Sequence, residues 1–294
     1  MTSNHYIEVA GVNGAFIRLA NGIFLHPDYI SSPRGTETKE WLGVQVKITN
    51  PYDRIVTNKY RNLSLRYALG EWLWYMRGSE DVAEIAHYSK YWNKLTDNGT
   101  TVNSAYGARI FGKSSKVPIN QWEAVKAELI KDRSSRRAVI QILVPQDLNG
   151  ETKDMPCTLS LQFVIRKNKL NLLCNMRSND LYLGFPYDTF TFTLFQEIML
   201  LELREKQPEL EMGTYFHSVA SLHIYEANYS VFQDILREPA ATKDLVLPKI
   251  QVLNDLMKLQ YNEDIIRNKL ELPLLSLEDS FCITAQKYLY ETSQ

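Results

Sequence analysis

The chain has 294 residues, 45% of them hydrophobic, which is enough to bury the core of one large domain. Lys and Arg total 33 against 34 Asp and Glu, and the net charge of -1 excludes an overall attraction to duplex DNA or an anionic membrane. Residues 1–16 lack the basic stretch and apolar run of a secretory signal, and no run of about 18 apolar residues occurs. We therefore expect a soluble, cytoplasmic protein that needs neither a membrane nor a nucleic acid as a partner.

The first predicted elements are two helices. Residues 64–76 place apolar side chains at helical spacing behind Ser64, a suitable N-cap, and they predict a buried helix that carries Glu71. A second helical pattern runs over residues 122–130, and a basic, turn-like stretch follows it. Helices are therefore expected to precede the first strands.

The hydrophobic period changes after these helices. Three short segments are apolar or alternating, are bounded by prolines or a turn, and read as strands: residues 138–144, 159–165 and 170–176. Two further apolar stretches predict helices: residues 190–204 and 222–236. Because the chain shows no internal repeat and no Gly/Ser-rich linker, we expect one α+β domain over residues 1–294, with a mostly antiparallel or mixed sheet.

The three cysteines are candidates for chemistry. Cys157, Cys174 and Cys282 are an odd number without a C-x-x-C pair, which argues against a disulfide framework and against a zinc site. Cys157 follows a proline at the start of a predicted strand, and a cation such as Arg177 beside it would favour the thiolate, which is the nucleophilic form. A lone cysteine is more often an inert buried thiol, and Cys174 and Cys282 keep that interpretation.

Several arginines lie beside small or turn-forming residues: Arg34, Arg136, Arg137 and Arg177. Guanidinium groups bind phosphate oxygens through pairs of hydrogen bonds, so a convergence of these side chains would form a site for a phosphomonoester. Taken singly, each is more often a solvated surface residue or an ion-pair partner. No Walker-type or G-x-G-x-x-G motif occurs, so a cradle for a nucleoside triphosphate or a dinucleotide is not indicated.

Some polar side chains lie within or beside apolar stretches. Glu71 could be a carboxyl group of raised pKa that suits proton transfer, although a helix glutamate is more often solvated or paired. His223 and Tyr225 lie two residues apart, and a histidine in this setting is more often structural. The five tryptophans are core residues by default, and some could form an aromatic wall for a flat cofactor.

The order of seven motifs decides between these interpretations: PRGTET, GEWLWYMRG, SAYGARIF, SSRR, MPCTLSLQF, MRSNDLYLGFPYD and FHSVASLHIY. From about residue 30 to about residue 230, the chain resembles thymidylate synthase and its sister family, the deoxycytidylate hydroxymethylases. The spacing of the Pro-Cys pair and R-S-x-D-x-x-x-G-x-P is highly specific. The resemblance implies an α+β catalytic domain that forms a symmetric homodimer through its sheet and needs no metal.

The resemblance also implies how a pyrimidine nucleotide is held. Cys157 would attack C6 of the base. His223 and Tyr225 match the pair that hydrogen-bonds the sugar hydroxyl. The phosphate would be held by side chains from both subunits: Arg34, Arg177 and Ser178 from one subunit, with Arg136 and Arg137 reaching across from the other.

Further roles follow from the same resemblance. Glu71 matches the glutamate that orders water and manages protons on the pyrimidine, and Tyr106 matches the tyrosine near the C5 proton. Asp180 matches the aspartate that binds the pterin of 5,10-methylenetetrahydrofolate, the implied co-substrate. Trp92 would belong to the aromatic surroundings of that ring.

The informative departure from thymidylate synthases is Asp188, where those enzymes carry asparagine. An amide matches O4 and N3–H of uracil with one donor and one acceptor. A carboxyl group can accept from the 4-amino group of cytosine and, when protonated, donate to N3, or it can share the proton with a charged ring. Asp188 therefore predicts a cytosine nucleotide as the substrate, with a binding and a catalytic role for this side chain.

Other departures bear on the fate of the transferred carbon. Thr158 replaces a common histidine, Ala220 and Ser221 replace a Gly-Asp pair, and the chain ends KYLYETSQ instead of in a short apolar tail. A looser closure would admit water, which predicts a 5-hydroxymethyl product from dCMP or CMP. A deoxynucleotide would point to a virus that modifies its DNA. Two alternatives stay open: a synthase-type methylation of dUMP or dCMP, and a catalytically idle regulator that binds a nucleotide or RNA.

Overall fold

The computed structural model of the chain describes residues 5–148 and 152–290, except for the side chain of Arg34. The strands and helices in chain order are β1 (Tyr6–Val9), α1 (Val12–Leu25), β2 (Tyr29–Ser31), β3 (Thr38–Ile48), α2 (Leu65–Arg77), α3 (Val82–Ala86), α4 (Tyr106–Ile110), α5 (Gln121–Lys131), β4 (Val139–Gln141), β5 (Thr158–Arg166), β6 (Lys169–Met176), β7 (Asn179–Asp180), α6 (Gly184–Arg204), β8 (Glu211–Tyr225), α7 (Tyr229–Arg237), α8 (Leu253–Arg267) and α9 (Ser280–Tyr290).

A mixed sheet organises these elements. Its strand order is β1-β3-β8-β6-β5-β4, with β2 paired to β3 and β7 paired to β8. Strand β8 is antiparallel to β3 and parallel to β6, and β6 is antiparallel to β5. A mixed sheet with helices packed on it confirms the predicted α+β class.

Helix α6 lies at the centre of the core and packs against α2, β6 and β8. Its 21 residues are buried on almost every side, as expected for a helix that is apolar all round. The sheet is covered less completely on its other face: on β6, Leu172 and Cys174 are fully buried, whereas the alternate residues Leu173 and Asn175 are only half-buried. This second face is therefore partly open to solvent in a single chain.

Helix α2 confirms the predicted helix at residues 64–76. The Ser64 side chain accepts a hydrogen bond from the backbone N–H of Tyr67 at 3.2 Å, which is the expected N-cap. The helix ends at Gly78, whose φ of 64° is in the left-handed region that glycine adopts without strain. Glu71 is 7% exposed, so the helix does carry a buried carboxyl group.

Helix α5 and strands β4, β5 and β6 lie where the hydrophobic pattern predicts them. The β5–β6 hairpin closes at Lys167 and Asn168, whose φ angles of 50° and 58° fit a two-residue hairpin turn. Among the described residues, no helix is long and apolar enough to cross a lipid bilayer.

Two of the helix predictions need correction. The helix expected at residues 222–236 is wrong for its first part, because Leu222 to Tyr225 complete strand β8 and pair with β3. Short apolar runs do not separate strand from helix by periodicity, and here the pairing with β3 decides. Helix α6 begins at Gly184 and not at Phe190, since Pro186 in the first turn is compatible with a helix start. Asp188 is therefore a helical residue.

Candidate active site

Two neighbouring cavities share Tyr91 and Leu95 as lining residues. We call the larger one, about 710 Å³, the cysteine cavity, because its lining includes predicted nucleotide-binding residues: Cys157, Arg177, Ser178, His223 and Tyr225. We call the second, about 480 Å³, the aspartate cleft, and its lining includes Glu71, Tyr67, Trp92, Tyr187 and Asp188. The fold thus gathers predicted residues that lie more than 150 positions apart in sequence into one region.

The geometry around Cys157 is set by Arg177. The guanidinium Nε donates to the carbonyl of Pro156 at 2.9 Å, and Nη2 donates to the carbonyl of Met155 at 2.8 Å. Nη2 also lies 3.6 Å from Cys157 Sγ. The backbone N–H of Arg177 donates to the Cys157 carbonyl, which joins the two residues a second time. A positive charge held beside the sulfur favours the thiolate form over the thiol.

Tyr106 lies beside the same segment. Its hydroxyl accepts a hydrogen bond from the backbone N–H of Thr158 at 3.4 Å, and its ring stacks on that of Tyr75. Burial raises the pKa of Tyr106 well above its ordinary value, and the charge of Cys157 adds to this. The hydroxyl therefore stays protonated and keeps a proton that it can donate near the nucleophile.

The histidine and tyrosine predicted to bind the sugar lie at the end of β8. Residues 179 and 180 form the short strand β7 beside β8, and this pairing places Asp180 opposite His223. The rings of His223 and Tyr225 meet edge to face, with centroids 4.8 Å apart. Both side chains line the cysteine cavity with Ser178, so polar groups from β8 and from the connection between β6 and β7 converge there.

In the aspartate cleft, Glu71 belongs to a short hydrogen-bond chain. The Tyr67 hydroxyl donates to Glu71 Oε1 at 2.7 Å, and Trp92 Nε1 donates to the Tyr67 oxygen at 3.0 Å. Burial raises the pKa of Glu71 to about 8; the hydrogen bond from Tyr67 opposes this rise, and the nearby charge of Asp188 contributes to it. Glu71 is therefore mostly protonated at neutral pH and is able to donate a proton.

Asp188 lies on the first turns of α6 and is partly buried. Its Oδ2 accepts a hydrogen bond from Asn179 Nδ2 at 2.7 Å. Burial raises the pKa of Asp188 to about 7, although the bond from Asn179 lowers it. Near neutral pH this side chain is thus present in both forms, and it can accept or share a proton with a bound group.

Besides Tyr106, which lies beside Cys157 as described above, four predicted site residues are not found in the described lining of either cavity. The Asp180 carboxylate accepts from the backbone N–H groups of Tyr182 and Leu183, at 2.9 Å and 3.1 Å, and so holds the turn before α6. The other three are arginines. Arg136 and Arg137 are exposed on the turn after α5, and Arg34 lies in the short 3-10 helix Pro33–Gly35 with its side chain outside the described part of the chain.

The structure also brings in residues that the sequence analysis did not single out. Tyr67 lies four positions before Glu71, and this helical i, i+4 spacing could have identified it as a partner. Lys153 and Glu40 line the cysteine cavity from distant parts of the chain, and no local pattern marks them. Asn179 behind Asp188 is a fourth such residue.

Comparison with known proteins identifies the family. Residues 15–271 match the family described as thymidylate synthase, and the chain belongs to this family. The predicted resemblance is therefore confirmed, together with the fold that it implies. Among the described residues, no group of three or more His, Cys, Asp or Glu side chains is arranged to hold a metal ion.

Three relatives from phages illustrate the range of the family. The chain is 34% identical to the deoxyuridylate hydroxymethyltransferase of Bacillus phage SP01 over 209 residues, which are 68% of this chain and 54% of that protein. It is 28% identical to the deoxycytidylate 5-hydroxymethyltransferase of Enterobacteria phage T4 over 221 residues, 72% of this chain and 86% of that protein. It is 26% identical to the thymidylate synthase of Bacillus phage phi3T over 190 residues, 63% of this chain and 65% of that protein. The chain thus spans about half the length of the first of these relatives.

Proposed function

We propose that the chain is a one-carbon transferase that converts dCMP, 5,10-methylenetetrahydrofolate and water into 5-hydroxymethyl-dCMP and tetrahydrofolate. The observation that carries this proposal is Asp188, a partly buried carboxyl group with a pKa of about 7 in a cleft that adjoins the cysteine cavity. The similarity to a phage deoxycytidylate hydroxymethyltransferase supports it. Because that relative and the others named above are phage proteins, we further propose a virus-encoded enzyme that acts in the host cytoplasm.

Asp188 accounts for the choice of cytosine. In the proposed pose, Oδ1 accepts from the 4-amino group, and Oδ2, which also accepts from Asn179, shares a proton with N3 of the ring. Uracil would place O4 opposite Oδ1, so two acceptors would face each other unless Asp188 were protonated there. A mismatched buried polar edge can lower a specificity constant by roughly four orders of magnitude.

The reaction begins at Cys157. The thiolate, favoured by Arg177 at 3.6 Å, adds to C6 and makes C5 nucleophilic toward the methylene carbon of the folate. Loss of the C5 proton, which lies near Tyr106 in this pose, then releases tetrahydrofolate and leaves an exocyclic methylene on the ring. Water adds to this carbon, the ring electrons return, and Cys157 leaves from C6. The hydroxyl group of water becomes part of the hydroxymethyl product, and the remaining proton of water is released. No hydride is transferred, so no reductant is required.

Water is the nucleophile that this site favours. Glu71 and Tyr67 form a hydrogen-bonded pair in the cleft and are suited to order a water molecule and to move its proton. Thr158, next to Cys157, is fully buried and lies outside the lining of both cavities, so the imidazole that synthases commonly have at this position is missing. We propose that Glu71 and Tyr67 direct the exocyclic methylene toward hydration and away from reduction.

The aspartate cleft also fits the folate. Its walls include Trp92, Tyr187 and Leu95, and these flat or apolar side chains suit a pterin ring. The Asp180 carboxylate, with its pKa raised by burial, lies in the turn that leads to Leu183 at the rim of this cleft. We propose that the Asp180 carboxylate binds the pterin from its position in this turn.

We further propose that the chain acts as one catalytic domain in a homodimer joined by the sheet. The half-buried residues Leu173 and Asn175 belong to the face that such a contact would cover. Arg136 and Arg137 are exposed in a single chain, which suits a role in the other subunit's phosphate site.

We expect a mixture of a Cys157→Ala chain with an Arg136→Ala/Arg137→Ala chain to recover about a quarter of wild-type activity, because half of the dimers would contain one intact site. No recovery on mixing would contradict shared sites.

A second candidate reaction is hydroxymethylation of dUMP. The observation that favours it is the 34% identity with a deoxyuridylate hydroxymethyltransferase. The chemistry at Cys157 and Glu71 would be the same, and the two candidates differ only in how Asp188 meets the base.

One experiment separates the candidates. The purified protein is incubated with 5,10-methylenetetrahydrofolate and with dCMP, CMP or dUMP, and the nucleotide is analysed by mass spectrometry while absorbance follows dihydrofolate. Addition of CH2O to a cytosine nucleotide without dihydrofolate supports the proposal and identifies the sugar. Addition of CH2O to dUMP favours the second candidate, and addition of CH2 with dihydrofolate indicates a methylating synthase. No product with any nucleotide would favour an idle binding protein.

A further inference from the structure

A buried chain of hydrogen bonds lies behind Asp188 and outside the lining of both cavities. Tyr215 and His217 of β8 are joined by a bond of 2.8 Å between the Tyr215 hydroxyl and His217 Nδ1. His217 Nε2 lies 3.1 Å from Asn179 Oδ1, and Asn179 Nδ2 donates to Asp188 Oδ2 at 2.7 Å. We call these three residues, Tyr215, His217 and Asn179, the relay.

The direction of the relay follows from its chemistry. Burial lowers the pKa of His217 to about 3, so the imidazole is neutral and has one donor and one acceptor nitrogen. An ionised Asp188 can only accept, so Asn179 must turn its amino group toward Asp188 and its oxygen toward His217. Nε2 of His217 therefore carries the hydrogen, and Nδ1 accepts from the Tyr215 hydroxyl. Every donor in the relay points toward Asp188.

The opposite direction would change what Asp188 offers to a base. If Asn179 turned its oxygen toward Asp188, the carboxyl group would have to donate its only proton to that oxygen. N3 of cytosine would then face a lone pair with no proton to share. The N3–H of uracil, in contrast, finds an acceptor in either state. The direction of the relay therefore bears on the preference between the two pyrimidines.

We propose that His217, acting through Asn179, is a specificity-determining positioning residue that keeps the proton of Asp188 available to N3 of cytosine. This inference rests on the proposed function in one respect, namely that Asp188 faces the base.

Other ionisable groups surround Asp188 and interact with it through their charges: Glu71 and Tyr75 from α2, Tyr106 from α4, Cys174 from β6 and Tyr215 from β8. Asn179 differs from these groups because it makes a direct hydrogen bond to the carboxylate. The amide is held in place on its other side by His217, which is fully buried. His217 is therefore the residue to change when the direction of the relay is tested.

His217→Phe removes both ring nitrogens and keeps an aromatic ring against Phe185, whose ring meets His217 edge to face at 5.2 Å. This variant removes the acceptor that His217 offers to the buried Tyr215 hydroxyl, so the double variant Tyr215→Phe/His217→Phe is made as well. His217→Gln is the conservative variant, because its amide can still donate to Asn179. Thr193→Val is the matched control: it deletes a buried hydroxyl on α6 that bonds Thr189 and lies outside the relay.

The assay compares the dissociation constants of dCMP and dUMP for each variant by calorimetry, together with kcat/KM for both nucleotides. We expect His217→Phe and the double variant to shift the dCMP to dUMP preference toward uracil by about tenfold or more, the effect of one unpaired buried polar group. His217→Gln and Thr193→Val should keep the wild-type ratio. An equal loss of affinity for both nucleotides in His217→Phe, or a His217→Gln variant as altered as His217→Phe, would overturn the inference.

Failure of the proposed reaction gives a different result. A wild-type protein that binds dCMP in preference to dUMP, loses this preference in His217→Phe, and forms no hydroxymethyl product would refute the reaction and support the relay. A wild-type protein that forms the product and keeps its preference in His217→Phe would support the reaction and refute the relay.

Discussion

Glu71→Gln tests whether the carboxyl group in the aspartate cleft is protonated in the folded protein. Glutamine has nearly the same shape as glutamate, stays neutral at every pH, and retains an oxygen that can accept from the Tyr67 hydroxyl. The variant should therefore fold as the wild type does. It removes only the capacity of residue 71 to ionise, and with it the proposed proton transfer to and from water.

The effect on stability follows from the raised pKa. In the folded protein the pKa of Glu71 is about 8, against an ordinary value of 4.5, so the folded state binds more protons than the unfolded state between these values. The free energy of unfolding of the wild type must then fall as pH rises through this window. One pKa unit corresponds to about 1.4 kcal/mol, so the full shift amounts to about 5 kcal/mol above pH 8, which is an upper limit. Well below pH 4.5 the ionisation of Glu71 contributes nothing to the difference in stability between wild type and variant.

Urea denaturation at pH 5 and at pH 9 measures this prediction. Glu71→Gln should gain stability relative to the wild type on going from pH 5 to pH 9, while its turnover falls at both. Glu123→Gln serves as the control, since the Glu123 side chain is 56% exposed on the surface of α5 and should give no such gain. A stability difference between Glu71→Gln and wild type that is the same at both pH values would refute the reasoning.

Three further substitutions give distinct outcomes. Cys157→Ala should abolish turnover and leave nucleotide binding within a few-fold by calorimetry, and residual turnover would exclude Cys157 as the nucleophile. In Asp188→Asn, the new amide oxygen should face Asn179 and the new amino group should face the base. The ratio of kcat/KM for dCMP to kcat/KM for dUMP, measured in competition, should then shift toward dUMP by about a hundredfold, or about 3 kcal/mol. Arg109→Met removes the two bonds of 2.6 Å and 2.9 Å from Arg109 to the buried carboxylate of Asp147, which keeps Lys116 and the backbone N–H of Val144 as donors, and it should lower the free energy of unfolding by about 3 kcal/mol in urea. A loss below about 1 kcal/mol would mean that Lys116 and the backbone N–H of Val144 are sufficient to hold the Asp147 carboxylate.

Local signals in the sequence were sufficient for several elements. Ser64 with its helical pattern predicts α2, and the alternation after Pro156 predicts β5, because capping and side-chain alternation depend on neighbouring residues alone. The family motifs then place Cys157, Arg177 and Glu71 in one region, which the structure shows as two cavities with a common wall. These parts depend on short stretches of chain whose spacing is visible in the sequence.

Local sequence signals could not predict the pairings between distant segments of the chain. Strand β8 runs on to Tyr225 because β3 supplies hydrogen-bond partners more than 170 residues away in sequence. The relay is similar, since Asn179 and His217 lie on different strands and meet only because β7 and β8 are neighbours. A histidine with this role cannot be told from a structural histidine until its two nitrogen partners are known.

The two carboxyl groups of the aspartate cleft, Glu71 and Asp188, differ in their protonation near neutral pH. The charge of Asp188 raises the pKa of Glu71, so ionisation of one group opposes ionisation of the other, and the protons belong to the pair. Asp188, at about 7 and with a donor from Asn179, ionises before Glu71 at about 8. Near neutral pH the cleft can therefore present a carboxylate to the base and a carboxylic acid to water at the same time. The acid and base assignments arise from one hydrogen bond and from burial, and a change at Asn179 should alter both.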